Sequence, residues 1–200
     1  MVRKYALFVL TIMMFCQLPA QNKFTYSHTL RFSASFATGC LFDAQSNPIY
    51  LQGLSEYYID NKISFRNDGY FFINETSNPT FETNHQLFSG FAYHFLPDNS
   101  IDFYGSFQIG AAFAKAKYAG PVLDVVIDEK YLQKYTLTTN PVFAVGTGVN
   151  LFAKKWFHAF LELKYIKGRY LSNAPSIGLD EFRFSFGLGF NVNLKKAKAE

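Results

Sequence analysis

Residues 181–194, EFRFSFGLGFNVNL, alternate without a break. Phe182, Phe184, Phe186, Leu188, Phe190, Val192 and Leu194 fill the even positions; Glu181, Arg183, Ser185, Gly187, Gly189, Asn191 and Asn193 fill the odd ones. Successive side chains of a strand point to opposite faces, so the segment predicts a strand with one large apolar face and one polar or small face. The same period recurs over 24–36, 49–59, 62–73, 85–95, 101–113, 140–152 and 156–166, which makes 181–194 the eighth such segment. The alternation is weakest over 49–59. Small residues such as Ser33, Ser35, Gly90, Gly110, Gly146 and Gly148 share the polar face.

The connections alternate in length. Tight turns are expected at Asp60-Asn61, Pro97–Ser100 and Ala153–Lys155, and longer loops near 38–48, 75–84, 114–139 and 167–178. Short and long connections in turn predict an all-β, eight-stranded antiparallel up-and-down barrel with one trimmed and one elaborated rim. Such a barrel can turn its apolar face inward around a small ligand, as soluble lipid-binding barrels do, or outward against hydrocarbon. Eight strands enclose a space only just wide enough for side chains or one small ligand. About five large apolar residues per strand, roughly forty in all, exceed that space. The apolar face therefore points out, and the barrel crosses a membrane.

Several features agree. Tyr57, Tyr58, Tyr93, Phe95, Phe103, Trp156, Phe157 and Phe190 lie toward the short-turn end, where an interfacial aromatic girdle is expected. His28, beside the same rim, reads as interfacial. Residues 1–21 place Arg3 and Lys4 before an apolar run from Tyr5 to Phe15, then Pro19 and Ala20. That is the pattern of a cleavable secretory signal peptide. Bulky Phe15 ahead of Cys16 argues against a lipoprotein. The mature chain would then hold only Cys40, with no internal disulfide and no cysteine-based metal site. Charged residues are 17% and the formal charge is +4, with no basic stripe for nucleic acid. No cofactor is implied.

By parity Arg31, Glu56, Arg66, Asp68, Glu162, Lys164, Glu181 and Arg183 face the lumen, where buried charges must be paired. A salt-bridged plug is the favoured reading over a selective pore. The four histidines, His28, His85, His94 and His158, are scattered between the rims. His85 with Glu82 and Ser89 is the best candidate for a lipid-modifying nucleophile–base set, and polar residues at a strand entrance explain it more simply. The segment 117–140 combines apolar Val122, Val125 and Val126 with Tyr131 and Tyr135 in a charged, amphipathic run. It is either a partner-binding loop or an extension of its two strands.

The hairpins YYIDNKISFR and FAYHFLPDNSIDFYGSFQIGAAF and the closing FSFGLGFNVNL carry a resemblance. From Lys23 to Leu194 the chain resembles the small outer-membrane β-barrel family of the OmpA-transmembrane and OmpX type, in its Bacteroidetes-like form. The resemblance implies insertion by the barrel-assembly machinery, with Ser185, Gly187, Phe190 and Val192 as the C-terminal assembly signal. A KKAKAE tail, 195–200, follows where many members stop on an aromatic. The expected protein is a monomeric barrel over 22–194 in the outer membrane, in contact with its lipids. Its expected role is a non-enzymatic envelope scaffold or surface interaction protein acting through outer loops. Alternatives are a narrow pore or secretion accessory, a lipid-modifying enzyme, and a soluble lipid-binding barrel.

Overall fold

The computed structural model describes residues 27–77, 79–117, 136–171 and 177–194. The segments 1–21, 195–200 and 118–135, with Val122, Val125, Val126, Tyr131 and Tyr135, lie outside the described residues. Eight antiparallel strands close into a barrel in sequence order: β1 (Thr29–Leu41), β2 (Asn47–Tyr58), β3 (Ile63–Thr76), β4 (Phe81–His94), β5 (Ile101–Ala116), β6 (Thr138–Lys154), β7 (Phe157–Gly168) and β8 (Glu181–Asn193). The closing pair runs from Thr29↔Asn193 to Leu41↔Glu181. No helix among the described residues is long and apolar enough to cross a membrane. The crossing elements are the strands, whose 12 to 17 residues exceed the roughly ten a tilted strand needs.

The outward face is apolar. Phe36, Phe107, Phe186 and Phe190 are each more than half exposed, while Arg31, Arg66, Arg183 and Lys164 on the inward face are almost fully buried. This orientation excludes the soluble lipid-binding barrel, whose apolar face would line the inside. Exterior aromatics stand at the short-turn rim, with Trp156 stacked on Phe190 and Tyr93 edge-on to Phe95, and also at the loop end, where Phe42 meets Phe182. Tyr58 is a correction to that girdle: it is fully buried in the lumen. It and Tyr57 are consecutive, so only Tyr57 can face out.

The interior is also bulkier than its small and polar residues suggest. Tyr50, Tyr70, Phe81, Phe88, Tyr104 and Phe160 point inward and are buried. Glycine makes the room: a Cβ on Gly148 would stand 2.5 Å from the Tyr104 ring.

Two of the expected long loops are short. β1 and β2 are joined by residues 42–46 and β3 and β4 by 77–80, because the strands continue outward as hairpins. Beyond the hydrocarbon nothing demands alternation, so Asn47, Asn74 and Thr76 look loop-like in sequence and still pair. The turns use Gln45 and Ser77 at positive φ, where no glycine marks the bend. At the other end, β1 begins at Thr29, just after His28 turns to φ 65°, and residues 24–26 of the expected strand lie outside the described residues. β3 and β4 pair only up to Tyr70↔Gln86. Above that rung the seam is tied by side chains. The Phe72 amide donates to His85 Nδ1 at 3.0 Å, and the Glu75 carboxylate accepts from the amides of Thr80 and Phe81.

Candidate functional site in the barrel lumen

Three layers of polar side chains fill the lumen. Nearest the short-turn rim, Arg31 on β1 pairs with Glu56 on β2 at 3.0 Å and reaches Asn191 on β8. Its guanidinium lies 4.8 Å from the Tyr58 ring centre. The other Glu56 oxygen accepts from Ser64 Oγ at 2.6 Å and faces His94 Nε2 at 3.2 Å. His94 Nδ1 lies 2.6 Å from Asp102, which also accepts from Asn150.

In the middle layer Arg66 forks between Asp68 at 3.1 Å and Glu162 at 2.8 Å, spanning from β3 to β7. Lys164 closes the ring, 2.8 Å from Asp68 and 2.8 Å from Gln108. Gln108 and Gln52 each donate to Asp68, so that carboxylate is held by side chains from β2, β3, β5 and β7. Toward the loops, Arg183 pairs with Glu181 at 2.6 Å and donates to the side-chain carbonyl of Gln86 at 3.1 Å. Its guanidinium is flanked by the rings of Tyr50 and Tyr70, 4.0 and 4.2 Å from their centres. Above this Leu41, Phe81, Ala114, Tyr170 and Leu179 form a buried apolar cluster, with Asn84 and Asn140 buried at the same end.

Every polar residue singled out by parity sits inside the barrel, but in separate layers. Arg31 and Glu56 form one, Arg66, Asp68, Glu162 and Lys164 a second, and Arg183 with Glu181 a third. Sequence reasoning passed over His94 and Asp102. A signal was present: both lie on inward parity positions flanking the short turn at Pro97–Ser100, which brings their strands together. The glutamines and the buried tyrosines also occupy inward parity positions, but the partners they meet depend on what lies across the lumen.

Ser64, His94 and Asp102 have the spacing of a nucleophile–base–acid relay. Their wiring is different. Ser64 directs its proton to Glu56, and carboxylates face both nitrogens of the His94 ring. All three side chains are fully buried, so this cluster serves packing and charge pairing. The proposed His85, Glu82 and Ser89 set is not assembled. His85 binds the Phe72 amide, Glu82 pairs with Lys115 at 2.6 Å, and Ser89 donates to Asn67. Among the described residues no group of three or more His, Cys, Asp or Glu side chains is arranged to hold a metal ion.

Ser185, Gly187, Phe190 and Val192 are divided by the wall. Phe190 and Val192 face out, while Ser185 and Gly187 face in. Gly187 lies where a Cβ would press into the β1 backbone at Ala34 and Ser35, which is a packing reason for glycine there.

No family model matches the sequence, and no curated protein does. Solved structures do. The outer membrane protein OprG of Pseudomonas aeruginosa matches with a TM-score of 0.60 at 10% identity, over 86% of this chain and 100% of its own. Neisserial surface protein A matches at 0.58 and 12% identity, over 83% and 96%. Ail, the attachment invasion locus protein of Yersinia pestis, was solved with the heparin analogue sucrose octasulfate; it matches at 0.53 and 14% identity, over 83% and 99%. The chain therefore has the fold of the small outer-membrane β-barrels and is a transmembrane barrel.

Proposed function

We propose that the protein is a non-enzymatic component of the outer membrane that acts as an envelope scaffold or surface interaction protein through its outer loops. One observation carries the reading. The membrane-level lumen is occupied by stacked layers of ion pairs from Arg31 to Arg183, below a buried apolar cluster, and this leaves the rims as the surfaces offered to soluble partners. Eight strands leave little room for a channel beside such a network. In this reading residues 1–21 are a cleaved export signal and 195–200 a periplasmic tail. Ser185, Gly187, Phe190 and Val192 are read by the assembly machinery. The 117–140 segment is the partner loop, and the Bacteroidetes-like form of the family is the one to which the chain belongs.

The test has two parts. Cell fractionation with heat-modifiable migration in detergent should place a folded barrel in the outer membrane. A pull-down with the full-length chain, compared with a variant lacking 121–136, should then lose a partner while the heat-modifiable band remains. Discrete single-channel conductance from the purified barrel would replace this reading with a narrow pore. A changed lipid A or phospholipid profile in cells lacking the protein would replace it with an enzyme.

A further inference from the structure

Around most of the barrel the outward residues at mid-height are apolar, among them Phe36, Phe107, Val145 and Phe186. At the same height on β6, the Thr147 hydroxyl is occupied, donating to the Tyr104 carbonyl at 3.1 Å. The wall formed by β2, β3 and β4 differs. Ser55, Asn67 and Ser89 make one row across it, since Ser55 pairs with Asn67 and Asn67 with Ser89. The next row toward the loops pairs Gly53 with Gly69. Exposed Phe65 and Phe91 border the patch on the short-turn side, and exposed Leu51, Phe71 and Leu87 border it on the loop side. The polar row thus lies inside the apolar belt.

Polar groups there are costly unless paired, because hydrocarbon offers no hydrogen bonds. Ser89 donates to the Asn67 carbonyl at 2.6 Å. Among the described residues nothing takes the Asn67 amide protons or pairs with the Ser55 hydroxyl. Gly53 is a second, separate anomaly. A glycine weakens a strand, and inside this barrel it is used where side chains crowd. At Gly53 a Cβ would meet nothing of this chain within 4 Å. The result is a notch of about 460 Å³ whose lining includes Gly53, Ser55, Asn67, Gly69 and Ser89.

We propose that this notch is the contact face for a second copy of the chain, packed side by side in the membrane about a two-fold axis near Asn67. An acyl chain offers no hydrogen-bond partner, so the occupant must be embedded in the membrane and carry polar groups at the same depth. This patch meets that need for itself. Asn and Ser side chains both donate and accept, and a two-fold axis sets each free Asn67 amide against the same row in the second copy. The glycines let the two walls approach closely, as small residues do between membrane segments. The proposal departs from the monomer expected from the sequence.

The test uses the full mature chain in lipid vesicles. With Cys40→Ser as background, Phe65→Cys, which flanks the polar row without belonging to it, should cross-link to a covalent dimer under oxidation. Leu188→Cys, on the lipid-exposed β8 wall, should not. Subunit counting should find wild-type dimers, and both Asn67→Leu and Gly53→Phe should be monomers that keep heat-modifiable migration. Wild-type monomers overturn the proposal. So does Phe65→Cys cross-linking no better than Leu188→Cys, persistence of dimers in both variants, or capture in cells of a different protein by Phe65→Cys.

Discussion

Replacing Arg66 with Met tests the plug at its centre. Arg66 is 1% exposed and holds Asp68 and Glu162 together across the lumen. Without it, Asp68 keeps Lys164 at 2.8 Å, but the nearest remaining cation to Glu162 is Lys164 at 3.7 Å. Removing one member of a buried pair strands the other charge and typically costs about 3–5 kcal/mol. Removing the stranded carboxylate as well should recover most of that loss. Arg66→Met with Glu162→Met is therefore expected to lie within about 1–2 kcal/mol of wild type, since apolar replacement of a whole buried pair is close to neutral. The exposed Lys115–Glu82 pair is an internal control, with Lys115→Met costing about 0–1 kcal/mol. Urea titration of the barrel in detergent or thin vesicles, followed by tryptophan fluorescence, measures all three. An Arg66→Met barrel as stable as the Lys115→Met control would refute the reasoning. Ion conductance with stability intact would show that the side chain gates a pore.

Other expectations follow from the same picture. His94→Phe removes the two ring nitrogens that face Glu56 and Asp102 and should destabilise by about 3–5 kcal/mol in the same titration, since two buried carboxylates lose their shared partner. Phe186→Arg places a charge on the lipid side near mid-depth and should cost about 2–4 kcal/mol, whereas Leu194→Arg at the rim should cost about 0–1 kcal/mol; equal costs would contradict the lipid-facing geometry. In the exposed β2–β3 turn, the amides of Lys62 and Ile63 donate to Asp60 at 2.6 and 2.7 Å and hold its carboxyl below its ordinary value. A lowered value means the turn's contribution is complete above the ordinary carboxylate range and is lost as pH falls through the lowered one. Asp60→Ala should remove that part of the acid dependence of the unfolding midpoint, and an unchanged acid limb would contradict it.

The barrel was legible because hydrocarbon imposes period two on every strand that crosses it. Phe182, Phe184 and Phe186 against Arg183 and Ser185 sort outward from inward without any knowledge of neighbours. Legibility stops at the edge of the hydrocarbon. Asn47, Asn74 and Thr76 extend strands where no lipid selects apolar residues, and Gln45 and Ser77 turn the chain without a glycine or Asn-Gly signal. Alternation is also silent about what meets across the lumen. Arg66 and Glu162 are 96 residues apart, and their pairing follows only from closure of the sheet. Tyr58 shows the limit of composition: read as a rim aromatic, it is placed inside by parity, where it packs beside Arg31.

The central claim is that lipid contacts one face of each strand and a filled lumen lies behind the other. Spin labels placed singly along β8 at 182–192, on the Cys40→Ser background in vesicles, test it most directly by accessibility to oxygen and to a water-soluble nickel complex. The account predicts a period of two, with oxygen reaching labels at 182, 184, 186, 188 and 190 and neither reagent reaching those at 183 and 185. Nickel access at the odd positions would reveal an open aqueous lumen, and loss of the alternation would contradict the barrel's orientation itself.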